Sequence, residues 1–221
     1  MDVTTPVLDA RDLFRFFHAG NDESLALRGV SLSVSAGELV AVTGPSGSGK
    51  STLLACLAGL DDPDGGMVRI DGEPLSRRPE TERAAVRARS VGMLFQSNNL
   101  FGHLTVAANL ALARGLASKG RGNSDLLEQF GLGHRRYAYP TELSGGEAAR
   151  AGLAMALANE PPILLADEPT GELDSRTASM IVDELCRQAE RGTAIVVVTH
   201  SPLVAERAHR VVQLQDGRVV S

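Results

Sequence analysis

Long hydrophobic runs are missing from this chain. Its apolar runs, such as Ala194-Ile195-Val196-Val197-Val198, are strand-length, and nothing approaches the roughly 20 apolar residues that a helix needs to cross a bilayer. The N-terminal Met1-Asp2-Val3-Thr4-Thr5 is acidic and carries no apolar stretch, so no secretory signal is expected. Cysteine is scarce. Cys56 and Cys186 stand apart, without the paired spacing of a metal site, and read as two reduced packing residues of a cytosolic protein. No internal repeat, no long linker and no Asn-Lys-x-Asp stretch of the guanine-reading kind occurs. A net charge of −5 argues against broad nucleic-acid binding, and none is expected. Lysine is nearly absent too: of 22 basic residues, all but Lys50 and Lys119 are arginine.

What is present fits one α/β domain. The 221 residues, 43% of them apolar, can bury a sizeable core. Residues 7–34 alternate between apolar and polar and predict short, partly antiparallel strands. Glu38 to Thr43 predicts a buried strand, followed by a glycine-rich loop and a helix from Lys50 to Ala58 that Gly59 can end. Asp61 to Gly66 is turn chemistry, Met67 to Ile70 a strand, Thr81 to Arg89 a helix and Val91 to Phe95 a strand. From Ser97 to Leu143 the composition turns helical, with Val106, Leu110 and Ala113 at helical spacing and glycine-rich breaks at residues 120–123 and 131–133. A helix over 146–159, a strand at 163–166, a helix over 175–190 and a strand at 194–198 follow, and residues 211–220 predict a hairpin around Asp216-Gly217. Strands alternating with helices imply a mostly parallel sheet wrapped on both faces.

The glycine-rich loop is Gly44-Pro45-Ser46-Gly47-Ser48-Gly49-Lys50-Ser51, a phosphate-binding loop of the G-x-x-x-x-G-K-[ST] form. By average residue usage such a match arises in roughly one chain in a hundred of this length, and here it lies between a predicted strand and a predicted helix. Its glycines let consecutive N–H groups turn inward on phosphate oxygens, and the following helix adds its positive end. Gly44, Ser46, Gly47, Ser48, Gly49, Lys50, Ser51 and Thr52 are the candidate nucleotide contacts. Lys50 reaches the β- and γ-phosphates, and the Ser51 hydroxyl can ligate Mg²⁺. A compact ammonium enters such a loop more easily than a guanidinium fork, which makes the lone lysine of this region informative.

The strand Ile163-Leu164-Leu165-Ala166 ends in Asp167-Glu168. Alone, two carboxylates after an apolar run are as readily a helix cap. Beside a phosphate loop, the first helps to hold the metal and the second polarises the attacking water. A second glycine-rich stretch, Leu143-Ser144-Gly145-Gly146-Glu147, followed by Arg150, opens a predicted helix about a hundred residues after the first.

Taken together, these motifs resemble the nucleotide-binding subunit of an ATP-binding-cassette (ABC) transporter, over nearly the whole chain. The resemblance implies a P-loop NTPase fold: a mostly parallel core sheet, an N-terminal antiparallel β subdomain and an inserted helical subdomain. Residues 1–96 and 159–221 would form the core and residues 97–158 the helical part of a single domain, 1–221. It implies that ATP is held with Mg²⁺ between two copies, Ser144, Gly145 and Gly146 of one capping the γ-phosphate on the other. Gln96 matches the glutamine that ligates Mg²⁺ and couples the site to the helical subdomain, and His200 the histidine that contacts the γ-phosphate. Lys50, Glu168 and His200 are the implied catalytic residues, and Ser51, Gln96 and Asp167 the implied metal ligands. Gly171-Glu172-Leu173-Asp174 is similar to the loop whose Asp174 would lie across the dimer interface. Phe17 is the candidate for stacking on adenine, where the usual residue is Tyr, with Phe14 and Phe16 as rivals. Departures from the pattern are Glu147, where Gln is common, and Ala148, Ala149 and Met155, where polar or basic residues are common.

The implied activity is ATP hydrolysis, driving a separate transmembrane permease from the cytoplasmic face of the membrane. Gly59-Leu60-Asp61-Asp62-Pro63, residues 167–174 and the short length are similar to the group serving lipoprotein release, macrolide export and cell-division-type signalling. A small importer subunit and a soluble ABC ATPase are the alternatives. Permease contact is expected near Gln96, over residues 97–103.

Overall fold

The computed structural model describes residues 5–19, 22–97, 99–116 and 125–220. The expected break at 120–123, Lys119 and the first four residues lie outside them. Strands β1 (Leu8–Ala19) and β2 (Asp22–Val34) form a long antiparallel pair. This is the main departure from the expected short strands. Register shifts between Ala10 and Leu13, between Leu13 and Phe14 and between Arg15 and Phe16 interrupt the alternation of side chains, so one bulged strand carries the pattern of several short ones. The buried strand β3 (Leu39–Thr43) leads through the glycine-rich loop into helix α1 (Lys50–Leu57). Strands β4 (Gly65–Ile70) and β5 (Glu73–Pro74) return to the antiparallel sheet, whose order is β2-β1-β4-β5.

Helix α2 (Glu80–Ser90) precedes strand β6 (Val91–Leu94). The strand stops there because the Asn99 side chain takes both backbone groups of Phe95, accepting from its N–H at 2.8 Å and donating to its carbonyl at 2.7 Å. Helices α3 (Val106–Leu116), α4 (Leu126–Gln129) and α5 (Gly145–Ala156) follow, with 3-10 turns at Gly133–Arg135 and Pro140–Glu142. Next come strand β7 (Ile163–Asp167), helix α6 (Ser175–Glu190), strand β8 (Ala194–Val198), helix α7 (Pro202–Arg207) and the hairpin of β9 (Arg210–Gln215) and β10 (Arg218–Val219). Asp216 and Gly217, both at positive φ, make the hairpin turn.

The second sheet runs β10-β9-β3-β8-β7-β6, parallel except for β10. Alternation along its strands divides two cores. Val40, Val42, Ile163, Leu165, Val196 and Val198 pack with α1 and the inner face of the antiparallel sheet. Leu39, Ala41, Leu164, Ala166, Ile195 and Val197 pack on the other side with α3, α5 and α6. Strands buried on both faces read as continuous apolar runs. One face is thus covered by helices α1 and α2 together with a sheet, the other by helices alone. Register aligns the carboxyl ends of three neighbouring strands: Val42 pairs Val198, and Val198 pairs Asp167. The phosphate loop, His200 and the two carboxylates therefore emerge at one edge, where ligands of such sheets bind.

Candidate active site

The glycine-rich loop is wedged from outside. Gly44 has φ +149° and Gly49 φ +101°, and a side chain at either would overlap a carbonyl oxygen, that of Leu214 in β9 and that of Ala26 in β2 respectively. Only glycine combines these dihedrals with so close an approach. Helix α1 begins without a side-chain cap and without an acidic residue in its first turn. Its first amides and its positive end remain available to an anion. The ammonium of Lys50, a buried residue, donates to the carbonyls of Gly44 and Pro45, both at 2.9 Å. Burial lowers its pKa, against the pull of Glu168 and Asp167. Ser48 Oγ is buried with no hydrogen-bond partner, a state that costs about 1–3 kcal/mol.

Opposite the loop, the Asp167 carboxyl is held above its ordinary pKa by burial and by neighbouring Glu168, and is pulled back by a hydrogen bond from Ser51 and by Lys50. Glu168 sits at φ 45°, a left-handed conformation uncommon for residues other than glycine. Its Oε2 accepts from Thr199 Oγ1 at 3.0 Å and from the His200 amide at 3.2 Å, while His200 Nε2 stands 3.7 Å from Oε1. One oxygen is thus anchored to the end of β8 and the other is left toward the pocket.

That pocket, of about 550 Å³, brings together Phe17, Ser46, Gly47, Gly49, Lys50, Ser51, Thr52, Gln96, Asp167, Glu168 and His200. Gly44 and Ser48 do not line it; they shape the loop from beneath. Gln96 Nε2 donates to Glu172 Oε1 at 3.4 Å. Among the three phenylalanines of β1, Phe17 lines the pocket and is 42% exposed, with the Arg15 guanidinium 5.0 Å from its ring centre. Arg15 is itself held by Asp61 at 2.7 Å and Asp64 at 3.0 Å. Phe14 instead lays its ring against Gly29 and Gly65, and Phe16 is not among the lining residues.

Ser144, Gly145, Gly146 and Asp174 do not line this pocket. Ser144 caps α5 in a reciprocal box: its Oγ accepts from the Glu147 amide at 3.3 Å, and the Glu147 carboxylate accepts from the Ser144 amide at 2.8 Å. Asp174 caps α6, accepting from the amides of Arg176 and Thr177 and from Thr177 Oγ1 at 2.6 Å. A side chain at Gly146 would begin 3.0 Å from Thr177, so the starts of α5 and α6 lie against each other.

Three residues of this region escaped the sequence reading. Thr199 anchors Glu168, and its only signal is a hydroxyl at a strand end beside His200. Asn99 ties the Gln96 segment to α5, where a side chain at Gly152 would begin 2.8 Å from Asn99 Cβ. Arg135 donates to Glu147 at 2.8 Å across a gap of twelve residues, which no local pattern announces.

Comparison with known proteins agrees with this arrangement. The family model "ABC transporter" matches residues 27–171. An uncharacterised ABC transporter ATP-binding protein of Thermotoga maritima is 43% identical over 218 residues, covering 96% of this chain and 93% of that one. The macrolide export ATP-binding/permease proteins MacB of Paracoccus denitrificans (MacB 1/2) and Escherichia coli K12 are 42% and 39% identical over 98% of this chain, which spans about a third of their length. Among solved structures, the dimeric post-hydrolysis state of the ATP-binding cassette MJ0796 bound to ADP and Pi superposes with a TM-score of 0.89 at 35% identity, covering 97% of each chain. The chain belongs to the ABC transporter family and is an ATPase cassette of the P-loop fold.

Proposed function

We propose that two copies of this chain close around two ATP–Mg²⁺. The phosphate loop of one copy and Ser144, Gly145 and Gly146 of the other hold each nucleotide, and hydrolysis reopens the pair. The observation that carries this reading is the start of α5. It stands outside the pocket of its own chain, and a side chain at Gly145 would meet nothing within 4 Å. A helix N-terminus with so bare a face suits a phosphate brought by another molecule. The dimeric state of MJ0796 supports the same geometry.

Within one half-site, adenine lies on Phe17 and the phosphates lie on Gly47, Gly49, Lys50 and the first turn of α1. The Ser51 hydroxyl, the Gln96 amide oxygen and the Asp167 carboxylate, itself pressed by the negative Glu168, are hard oxygen donors lining one pocket. This set fits Mg²⁺, which takes few protein ligands alongside phosphates and neutralises their charge. Glu168 orients the attacking water and takes its proton as the water oxygen bonds to the γ-phosphorus and the bridging oxygen leaves with ADP. Thr199 and the His200 amide fix the carboxylate for this task, and the His200 ring steadies the γ-phosphate. Asp174 lies at the interface between copies.

In this reading the chain is one domain, with residues 1–96 and 159–221 as the nucleotide core and residues 97–158 as the helical part. It works at the cytoplasmic face of the membrane on a permease, of the exporter or mechanotransmission type. Identity to the MacB proteins supports the type. That the permease is a separate chain is part of this proposal. Phe95, next to Gln96 in the chain, and Phe101 are both exposed and are its proposed contacts. No described helix is long and apolar enough to cross a membrane.

The test is Glu168→Gln with saturating ATP and Mg²⁺ on a sizing column. The variant should bind ATP, turn over at least about a hundredfold more slowly and elute as a dimer. Elution as a monomer while ATP is bound defeats the reading.

A further inference from the structure

The helix assigned to the incoming γ-phosphate carries a negative charge of its own. Glu147 is the third residue of α5 and is buried. Its Oε2 accepts from the Ser144 amide at 2.8 Å and from the Ser144 hydroxyl at 3.0 Å. Its Oε1 accepts from Arg135 Nε at 2.8 Å, with His134 Nε2 at 3.6 Å. The Arg135 bond and then the Ser144 bonds hold its pKa at about 2, so the carboxylate is ionised at every working pH. A carboxylate at a helix start suits the helix. A phosphate arriving at the same turn meets it as a like charge, and like charges at such separations repel strongly outside bulk water.

We infer that Arg135 is a positioning residue for ATP on the opposing copy: its guanidinium neutralises Glu147, so that the start of α5 can accept a phosphate. The role rests on the sandwich proposed above. Arg135 is well placed for it. It ends the 3-10 turn Gly133–Arg135, and its carbonyl accepts from Ala138 at 3.0 Å. The same segment is pinned to the start of α3, where the Val106 amide donates to Ala138 and the Ala107 amide to Arg136, both at 2.9 Å. The guanidinium therefore comes from a braced segment and not from a free loop. Half-exposed at its own end, it bridges that segment and the buried carboxylate.

Two substitutions separate charge from packing. Glu147→Gln keeps the reciprocal cap, which either residue can form, and removes the negative charge. All variants are made in the Glu168→Gln background, and ATP-driven dimerisation is followed by sedimentation during an ATP titration. Binding of a fluorescent ATP analogue to each monomer at concentrations too low to dimerise is measured alongside. Arg135→Ala should raise the ATP concentration for half-dimerisation by about tenfold, a loss near 1.4 kcal/mol, and leave monomer binding unchanged. Arg135→Ala with Glu147→Gln should return it to within about twofold of the parent. If Arg135→Ala does not fold, Arg135→Gln serves in its place, since it keeps a donor to the carboxylate and drops the charge. Unaltered dimerisation in the folded single variant overturns the role, as does a folded double variant no better than the single. A parent that stays monomeric with ATP bound overturns the sandwich itself, and this role with it.

Discussion

Two glycine-rich stretches each open a helix, and their glycines answer to different neighbours. A side chain at Gly44 or Gly49 would overlap backbone of β9 or β2, and both residues hold dihedrals that favour glycine. A side chain at Gly145 would meet nothing, and its φ is not positive. The halves differ in charge and satisfaction as well. Around the phosphate loop, Ser48 Oγ has no partner, Lys50 is a buried cation with a lowered pKa, and Asp167 is a half-buried acid with a raised one. Around α5, the cap is reciprocal and Glu147 is fully bonded. The first half is held away from its own best energy, as sites awaiting a ligand are. The second is at rest, and what it offers is an uncovered backbone. Gly102 and Gly115 are as open, and what sets Gly145 apart is its place at the start of α5.

The largest effects should come from the strained half. Gly44→Ala forces β9 or the loop to move, and should destabilise the chain by about 3 kcal/mol or more and abolish nucleotide binding. Lys50→Ala should leave the fold intact and weaken ATP binding by at least about a hundredfold, since it removes the charge-assisted bonds to two phosphates that the proposed site gives it. Thermal melting and a fluorescent nucleotide titration check both. A Gly44→Ala chain with parental melting and affinity would break the comparison at its first term.

Gly145→Ala attacks the other term. Alanine in a helix is favoured over glycine by up to about 1 kcal/mol, and nothing stands in the way of the methyl. Melting should stay level or rise slightly, while ATP turnover falls by about ten- to a hundredfold because the methyl crowds an approaching phosphate. Gly146→Ala should add a small stability cost through Thr177. Retention of full turnover by Gly145→Ala would mean that the bare face serves no ligand.

The caps give smaller effects. Ser144→Ala and Asp174→Ala each remove a helix N-cap and should cost about 1 kcal/mol, seen as a lowered melting temperature without nucleotide. Ser144→Ala should also slow turnover more than the stability loss accounts for, because the proposed sandwich sets its hydroxyl where the phosphate arrives. Equal losses of turnover from the two variants in proportion to stability would reduce Ser144 to a cap.

How much of this was legible beforehand follows from how local each cause is. The buried strands at 163–167 and 194–198 announce themselves as apolar runs because both faces of the sheet are covered. The phosphate loop is local in sequence, and so is the Asp216-Gly217 turn. The extent of β1 and β2 was hidden by bulges that break the two-residue period. Helix α7, only six residues long, carries too little periodicity to be recognised. The choice among Phe14, Phe16 and Phe17 depends on register shifts that send Phe14 onto Gly29 and Gly65 and Phe17 to the pocket. Arg135 and Thr199 owe their positions to contacts across twelve and thirty-one residues, and spacing along the chain gives no hint of those.

The smallest effect tests whether the strained half is strained by charge. Burial, and then Glu168, raise the Asp167 pKa above its ordinary 3.8. A carboxyl whose folded pKa lies above its unfolded value binds its proton more tightly in the native state, so stability falls as pH rises from the ordinary value to the folded one, and stays lower beyond. Asp167→Asn removes that loss. Without nucleotide the variant should melt above the parent at pH 7, by no more than about 1 kcal/mol given partial solvent screening, and the advantage should shrink to nothing as pH falls below the ordinary value. With ATP and Mg²⁺ the order should reverse, because the parent's carboxylate then faces a cation and the amide offers it less. A variant that melts below the parent at pH 7 without ligand would show that Asp167 is at rest in the empty chain, and the contrast between the two halves would then stand on the glycines alone.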